Sequence, residues 1–211
     1  MPVNEKQQSG EVLYQRAQYQ IRGVSRWYWD HKDHAVMHFV QSHHATIVDI
    51  GCGEGIMLER LVRAFPDKTI VGIDFIEENV SICERSGLPA VQGDIYNLDL
   101  PNDYADVILL MEVIEHLTDP LAALAELRRV LRPGGLLVVV YPNDRFFLLA
   151  RLLLLRLKEA HHDAGHVRLW SPRQMRGFLS DNGFDVTATR AIPFHFWPIC
   201  LHGITVGSKP E

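Results

Sequence analysis

Residues Thr46 to Gly55 (Thr-Ile-Val-Asp-Ile-Gly-Cys-Gly-Glu-Gly) constrain this chain more than any other stretch. A β-branched apolar run holds one acid, Asp49, and then breaks into three glycines at alternate positions, Gly51, Gly53 and Gly55. An amphipathic segment, Ile56 to Phe65, follows directly. This order predicts a buried strand, a tight turn and a helix start. Residues without Cβ permit positive φ and let a ligand lie against the backbone. The free N–H groups of the helix start then face that ligand. A nucleotide-like ligand is expected at the carboxyl end of the first strand.

Spacing narrows the ligand. The dinucleotide fingerprint is G-x-G-x-x-G, whereas here the third glycine comes one residue early and Ile56 stands where glycine is needed. A P-loop is excluded, because no Gly-Lys-Ser/Thr follows. Asp49 would repel a pyrophosphate but could pair with an ammonium group. The segment Asp-Ile-Gly-Cys-Gly-Glu-Gly resembles the first motif of class I S-adenosylmethionine (SAM) methyltransferases. That resemblance implies that Asp49, Gly51, Cys52, Gly53 and Gly55 lie along the methionine end of SAM.

Thr69 to Asp74 reads as a second buried strand ending in an acid, and Asp74 lies 19 residues beyond Gly55. In two-strand nucleotide folds an acid about 20 residues on accepts both ribose hydroxyls. A carboxylate offers two acceptors to a vicinal diol with no competing donor. Phe75, the next residue, is assigned to the same cofactor site. Ala90 to Ile95 reads as a short third strand ending in Gly-Asp. The family resemblance implies that Asp94 accepts from the adenine amino group and Ile95 packs on the ring; the alternative is an ordinary turn aspartate.

Tyr104 to Leu110 predicts a fourth strand, buried on both faces. It runs into Met111-Glu112-Val113-Ile114-Glu115-His116-Leu117, at the end of a central strand where α/β sheets place their chemistry. This Glu-x-x-Glu-His segment resembles that of small-molecule methyltransferases, including the quinone-biosynthesis O-methyltransferases. Met111 and Glu112 are expected beside the cofactor. His116 is a candidate catalytic base for a phenol or enol, its ordinary pKa suiting neutral pH. Glu112, Glu115 and His116 could instead hold a divalent ion, or only shape the pocket; no metal is assigned. His166, in the Gly-His pair before Ser171-Pro172, is the second candidate base.

The remainder predicts a helix opened by Asp119-Pro120, a stop at Arg132 to Gly135, a strand at Leu136 to Val140, a helix capped by Ser171, and two closing strands from Phe184 and from His202. The last two are joined without a long helix and should pair antiparallel. The expected architecture is α/β: a Rossmann-like doubly wound sheet of seven strands, six parallel and one antiparallel, with a helical cap. An aromatic-rich N-terminal lid (1–44; Tyr14, Tyr19, Trp27, Tyr28, Trp29, Phe39) would precede the methyltransferase domain (45–211). Gly23 would separate two helices in that lid. His31, His34 and His38 share a helical face and read as an exposed stripe rather than a metal site. An insertion at 144–166 would cap the substrate, and the whole forms one structural domain.

Bulk properties bound the function. The formal charge of −5 argues against nucleic acid as the main partner. Cys52, Cys83 and Cys200 are far apart and suggest a reducing compartment. With no secretory pattern and no membrane-length apolar run, a cytoplasmic protein is expected. Residues 1–127 carry 9 Lys/Arg against 20 Asp/Glu, and residues 128–176 carry 10 against 3. The basic, apolar stretch 144–158 is a pocket lid or a peripheral contact with lipid. The reading favoured is methyl transfer from SAM, with S-adenosylhomocysteine (SAH) as product, to an O, N or C nucleophile of a small aromatic, quinone-like or lipid acceptor. The alternatives are a non-catalytic SAM-binding module docking a partner through its basic cap, and, disfavoured by Ile56, a nicotinamide oxidoreductase.

Overall fold

The computed structural model describes residues 24–143, 167–194 and 196–211. Expectations for Gly23, Tyr14, Tyr19, the 144–158 helix, the rest of the 144–166 insertion and His166 lie outside these residues. Five helices and seven strands are described: α1 Val24–Met37, β1 Thr46–Ile50, α2 Ile56–Ala64, β2 Thr69–Asp74, α3 Glu77–Arg85, β3 Ala90–Gln92, β4 Ala105–Met111, α4 Pro120–Val130, β5 Leu131–Pro142, α5 Pro172–Asp181, β6 Asp185–Ile192 and β7 His202–Ser208. The strands form one sheet in the order β3-β2-β1-β4-β5-β7-β6. Only β7 runs against its neighbours, opposite Val138–Val140 of β5 on one side and Thr189 of β6 on the other. The expected six-plus-one sheet is what forms.

Helices cover both faces because β1 and β4 are apolar on both. Side chains alternate across a strand, so Ile108 and Leu110 enter one core while Val107 and Leu109 enter the other. The first core is closed by Leu124, Leu127 and Val130 of α4 and Met175 and Leu179 of α5. The second is closed by Met57, Leu58 and Leu61 of α2, Val80 and Cys83 of α3, and Val36 of α1. Helix starts follow the sequence signals. Asp119 Oδ1 accepts the Ala122 N–H at 3.0 Å, and Ser171 with Gln174 builds a reciprocal capping box at α5.

Two strands differ from expectation. β3 stops at Gln92 rather than Ile95, because its partner β2 ends at Asp74, whose carbonyl takes the Gly93 N–H as the last bond between the two strands, and Asp94 Oδ1 then takes the Tyr96 N–H in a side-chain-closed turn. β5 begins at Leu131, before the Arg-Pro-Gly-Gly stop; Leu131 already pairs with Ala105, and the ladder shifts register before resuming at Val107–Leu136.

From β1 the chain winds outward through β2 and β3; from β4 it winds the other way. The crevice between the carboxyl ends of β1 and β4 is thus the switch point at which such sheets bind ligands. The β7 side of the sheet is packed equally tightly. A Cβ on Gly203 would meet the Tyr141 ring at 2.5 Å, and that phenol is fixed by Thr205 Oγ1 at 3.0 Å. Gly203→Ala should therefore lower stability by about 1–3 kcal/mol, seen as a lower urea midpoint with an unchanged denaturant slope.

Candidate active site

At the switch point lies a cavity of about 150 Å³ lined by Trp29, Lys32, Asp33, Asp49, Gly51, Cys52, Ile56, Met57, Met111 and Glu112. Four elements meet there: α1, the end of β1 with its glycine turn, the start of α2, and the end of β4. The turn is held by its own backbone. Gly51 N–H donates to the Ile73 carbonyl at 2.7 Å, and Gly53 N–H donates to Asp74 Oδ2 at 2.8 Å. Gly51 has φ +70°, and a Cβ there would lie 2.3 Å from Val113. Glycine is required for the β1 turn to pass under the β4 loop.

Asp49 is 2% exposed, and its Oδ2 has no hydrogen-bond partner among the described residues. Burial, then the neighbouring Asp74 and Asp33 carboxylates, push it up to about 7. An orphaned buried carboxylate facing a cavity is a built site for a cation. Asp33 is not in that position, since Arg60 Nε lies 3.0 Å from its Oδ2. Cys52 is buried, and burial pushes its thiol well up, so it is no nucleophile.

Glu112 closes the other side. It stands at φ +55°, a strained conformation for a residue with a side chain. Its Oε1 takes the Lys32 ammonium and lies 3.5 Å from His202 Nε2. Burial alone would raise this carboxyl, but the charges of Lys32 and His202 and their hydrogen bonds outweigh it and hold it well below the usual carboxylate range. His202, in turn, meets the Tyr28 hydroxyl through Nδ1, their rings stacked 5.8 Å apart. A proton on Nε2 serves the Glu112 contact.

The remaining expected residues lie as follows. Asp74 is buried, and three protein donors share its carboxylate: Gly53 N–H, Ile76 N–H at 2.9 Å and Asn79 Nδ2 at 3.1 Å. A carboxylate has about four acceptor sites, so room remains for roughly one more donor. Phe75 is 61% exposed, beside exposed Ile76 and near exposed Val91 and Tyr96. Asp94 is exposed and Ile95 half-buried. These groups lie at the ends of β2 and β3, outside the cavity lining. Glu115 is buried, its carbonyl accepting from Val167 and Arg168; His116 is exposed on the 3-10 turn Ile114–His116. Glu112, Glu115 and His116 do not converge on a metal-sized site among the described residues. Sequence reasoning missed Lys32, Asp33, Arg60 and His202 entirely and gave Tyr28 only a general lid role. Lys32, Asp33 and Arg60 stand among other charged residues of their helices, so the sequence does not set them apart.

A family profile described as "Methyltransferase domain" matches residues 29–189. The chain is 31% identical over 178 residues, 75% of its length and 73% of the relative's, to a ubiquinone biosynthesis O-methyltransferase of Methylococcus capsulatus. The chain belongs to the S-adenosylmethionine-dependent methyltransferase family. It spans 30%, 64% and 73% of the first three curated relatives it matches. Among solved structures, it superposes on a chain of the Haloferax volcanii complex between the Trm112 methyltransferase activator and a methyltransferase (TM-score 0.70, 22% identity, 88% of this chain and 92% of that one). It also superposes on the [4+2]-cyclase SpnF (TM-score 0.69, 20% identity, 90% and 83%). Methyltransferase and cyclase thus share this fold, so the chemistry has to be argued from the site.

SAM, the cofactor that this methyltransferase family implies, suits the residues present. The orphaned Asp49 oxygen matches an α-ammonium group, and the Gly51 turn leaves room for a ligand against the backbone. Without that cation, ionised Asp49 is a burden. Its folded pKa is raised, so the native state holds the extra proton between pH 4 and 7, and stability falls as pH rises through that window. Three units correspond to about 4 kcal/mol. Asp49→Asn should raise the Tm of the ligand-free protein at pH 8, and the gain should vanish near pH 4 in a thermal-melt series.

Proposed function

We propose that this chain transfers the methyl group of SAM to a nucleophilic atom of a small aromatic or quinone-like acceptor. The observation that carries this reading is a cavity that joins an unpartnered buried Asp49 oxygen, the glycine turn and the Met111-Glu112 step among the described residues. Asp49 would pair with the ammonium of the methionine moiety. Lys32, whose N–H groups have one acceptor (Glu112 Oε1) among the described residues, would meet its carboxylate. Asp74 would take a ribose hydroxyl, and the exposed Phe75 face with Asp94 and Ile95 would carry the adenine. When bound, SAM supplies an activated methyl on a sulfonium leaving group.

The protein's own part is then alignment and exclusion of water. Trp29, Met57 and Met111 give the cavity apolar walls, while Lys32 and Glu112 fix charge at its floor. A base is needed only where the acceptor must lose a proton. Among the described residues His116 takes that role, exposed on the turn that follows Glu112. The acceptor class is supported by relatives named ubiquinone biosynthesis O-methyltransferases at about 30% identity. Three buried free thiols are in keeping with a reducing compartment. No described helix is long and apolar enough to cross a membrane.

Calorimetry with SAM and SAH tests the cofactor site. Wild type should bind SAM with a Kd of about 1–100 μM, and Asp74→Ala should lose at least tenfold, since it removes a ribose contact and the tie on Gly53. Affinity should climb with pH up to about 7, where Asp49 becomes ionised, and Asp49→Asn should abolish that rise. Absence of binding to folded wild type would overturn the reading. A screen of phenolic acceptors tests the base: His116→Ala should lower kcat by about 10²-fold or more with SAM affinity unchanged. An unaltered kcat on every acceptor would remove His116 from the chemistry.

A further inference from the structure

The cavity holds one anion more than a methionine zwitterion needs. Asp33 is neutralised by Arg60, which leaves Asp49, Lys32 and Glu112 as its charged lining. Asp49 answers an ammonium and Lys32 a carboxylate. Glu112 remains. Its Oε1 is taken by Lys32 and approached by His202, whereas its Oε2 meets no donor among the described residues. The side chain is about one-third exposed, open to the cavity rather than sealed.

We propose that Glu112 reads the positive charge of the sulfonium, so that this site binds SAM in preference to SAH. The inference rests on the proposed cofactor site. The charges then correspond one to one: three on the ligand, three on the protein, with the protein's excess of one negative matching the ligand's excess of one positive. SAH lacks the sulfonium charge and leaves Glu112 with Lys32 alone, an ammonium that the ligand's carboxylate also draws on. His202 and Tyr28 are positioning residues in this scheme. His202 of β7, itself held by Tyr28 of α1, approaches Oε1 at 3.5 Å and leaves Oε2 to the ligand. Glu112 stands in a strained backbone conformation just past the end of β4. The consequence is chemical: methyl transfer itself discharges the contact, and the product is the weaker ligand. A charge contact in a partly solvated site corresponds to a preference of roughly tenfold or more.

The test is binding, measured without any acceptor. Calorimetry would compare SAM, SAH and a nitrogen analogue of SAM in which a tertiary amine replaces the sulfonium. On wild type, SAM should bind about ten times tighter than SAH. The nitrogen analogue should bind like SAM at pH values where its amine is protonated and like SAH where it is not. Taking its ratio to SAH at each pH cancels the titration of Asp49 and of the shared α-ammonium. Glu112→Gln should bring SAM to within about threefold of SAH, the ratio of the two being the readout because Lys32 meets the carboxylate of both. Equal affinities for SAM and SAH in wild type, or an equal loss of both in Glu112→Gln, would overturn the proposal. If Glu112→Gln fails to fold with Lys32 unpaired, the wild-type analogue series decides alone. Failure of both SAM and SAH to bind folded wild type would instead remove the cofactor site itself, and the charge assignment with it.

Discussion

Burying carboxylates at the carboxyl edge of the sheet is the constraint around which this structure is arranged. Asp33, Asp49 and Asp74 are almost fully buried, and Glu112 lies close by. Each such group is expensive to remove from water unless something answers its charge. The answers are different in kind. Asp33 has the Arg60 guanidinium, Glu112 has the Lys32 ammonium, and Asp74 has three N–H donors. Asp49 has none of these, and its raised pKa is the record of that omission. The fold tolerates one unanswered acid, and it is the one on the wall of the cavity.

Those answers also explain the packing of α1. Lys32 and Asp33 point to opposite partners, one on the β4 loop and one on α2, and Arg60 reaches Asp30 as well at 2.5 Å. Together with Val36 in the apolar core they fasten α1 across the mouth of the crevice. Removing one member of the Lys32–Glu112 pair would strand the other charge, which is far more damaging than replacing both.

Much of the fold was legible because its signals are local. Alternating glycines after an apolar run, Asp119 before Pro120 and Ser171 three residues before Gln174 each announce a structure within a few residues. The Asp74 position was legible through a spacing rule. Lys32, Asp33, Arg60 and His202 were not. Glu112 meets Lys32 80 positions away, and Tyr28 meets His202 across 174. Contacts of that separation leave no periodicity, and a lysine in a helix reads as a solvated face. The length of β3 was misjudged for a related reason: its partner β2 ends at Asp74, opposite Gln92, so no strand remains to pair with Gly93 to Ile95.

The division of labour between α1 and the sheet has a consequence for how such a protein diversifies. The sheet supplies the glycine turn and its acids, whereas Trp29, Lys32 and Asp33 come from a helix that precedes the first strand and joins it through a short connection. That helix is exchangeable without rethreading the sheet. A chimera carrying another family member's first helix would keep the same nucleotide cradle while presenting a different wall to whatever lies opposite it. Such an exchange would alter one face of the crevice as a unit, provided that the incoming helix brings a cation within reach of Glu112 and an acid to Arg60.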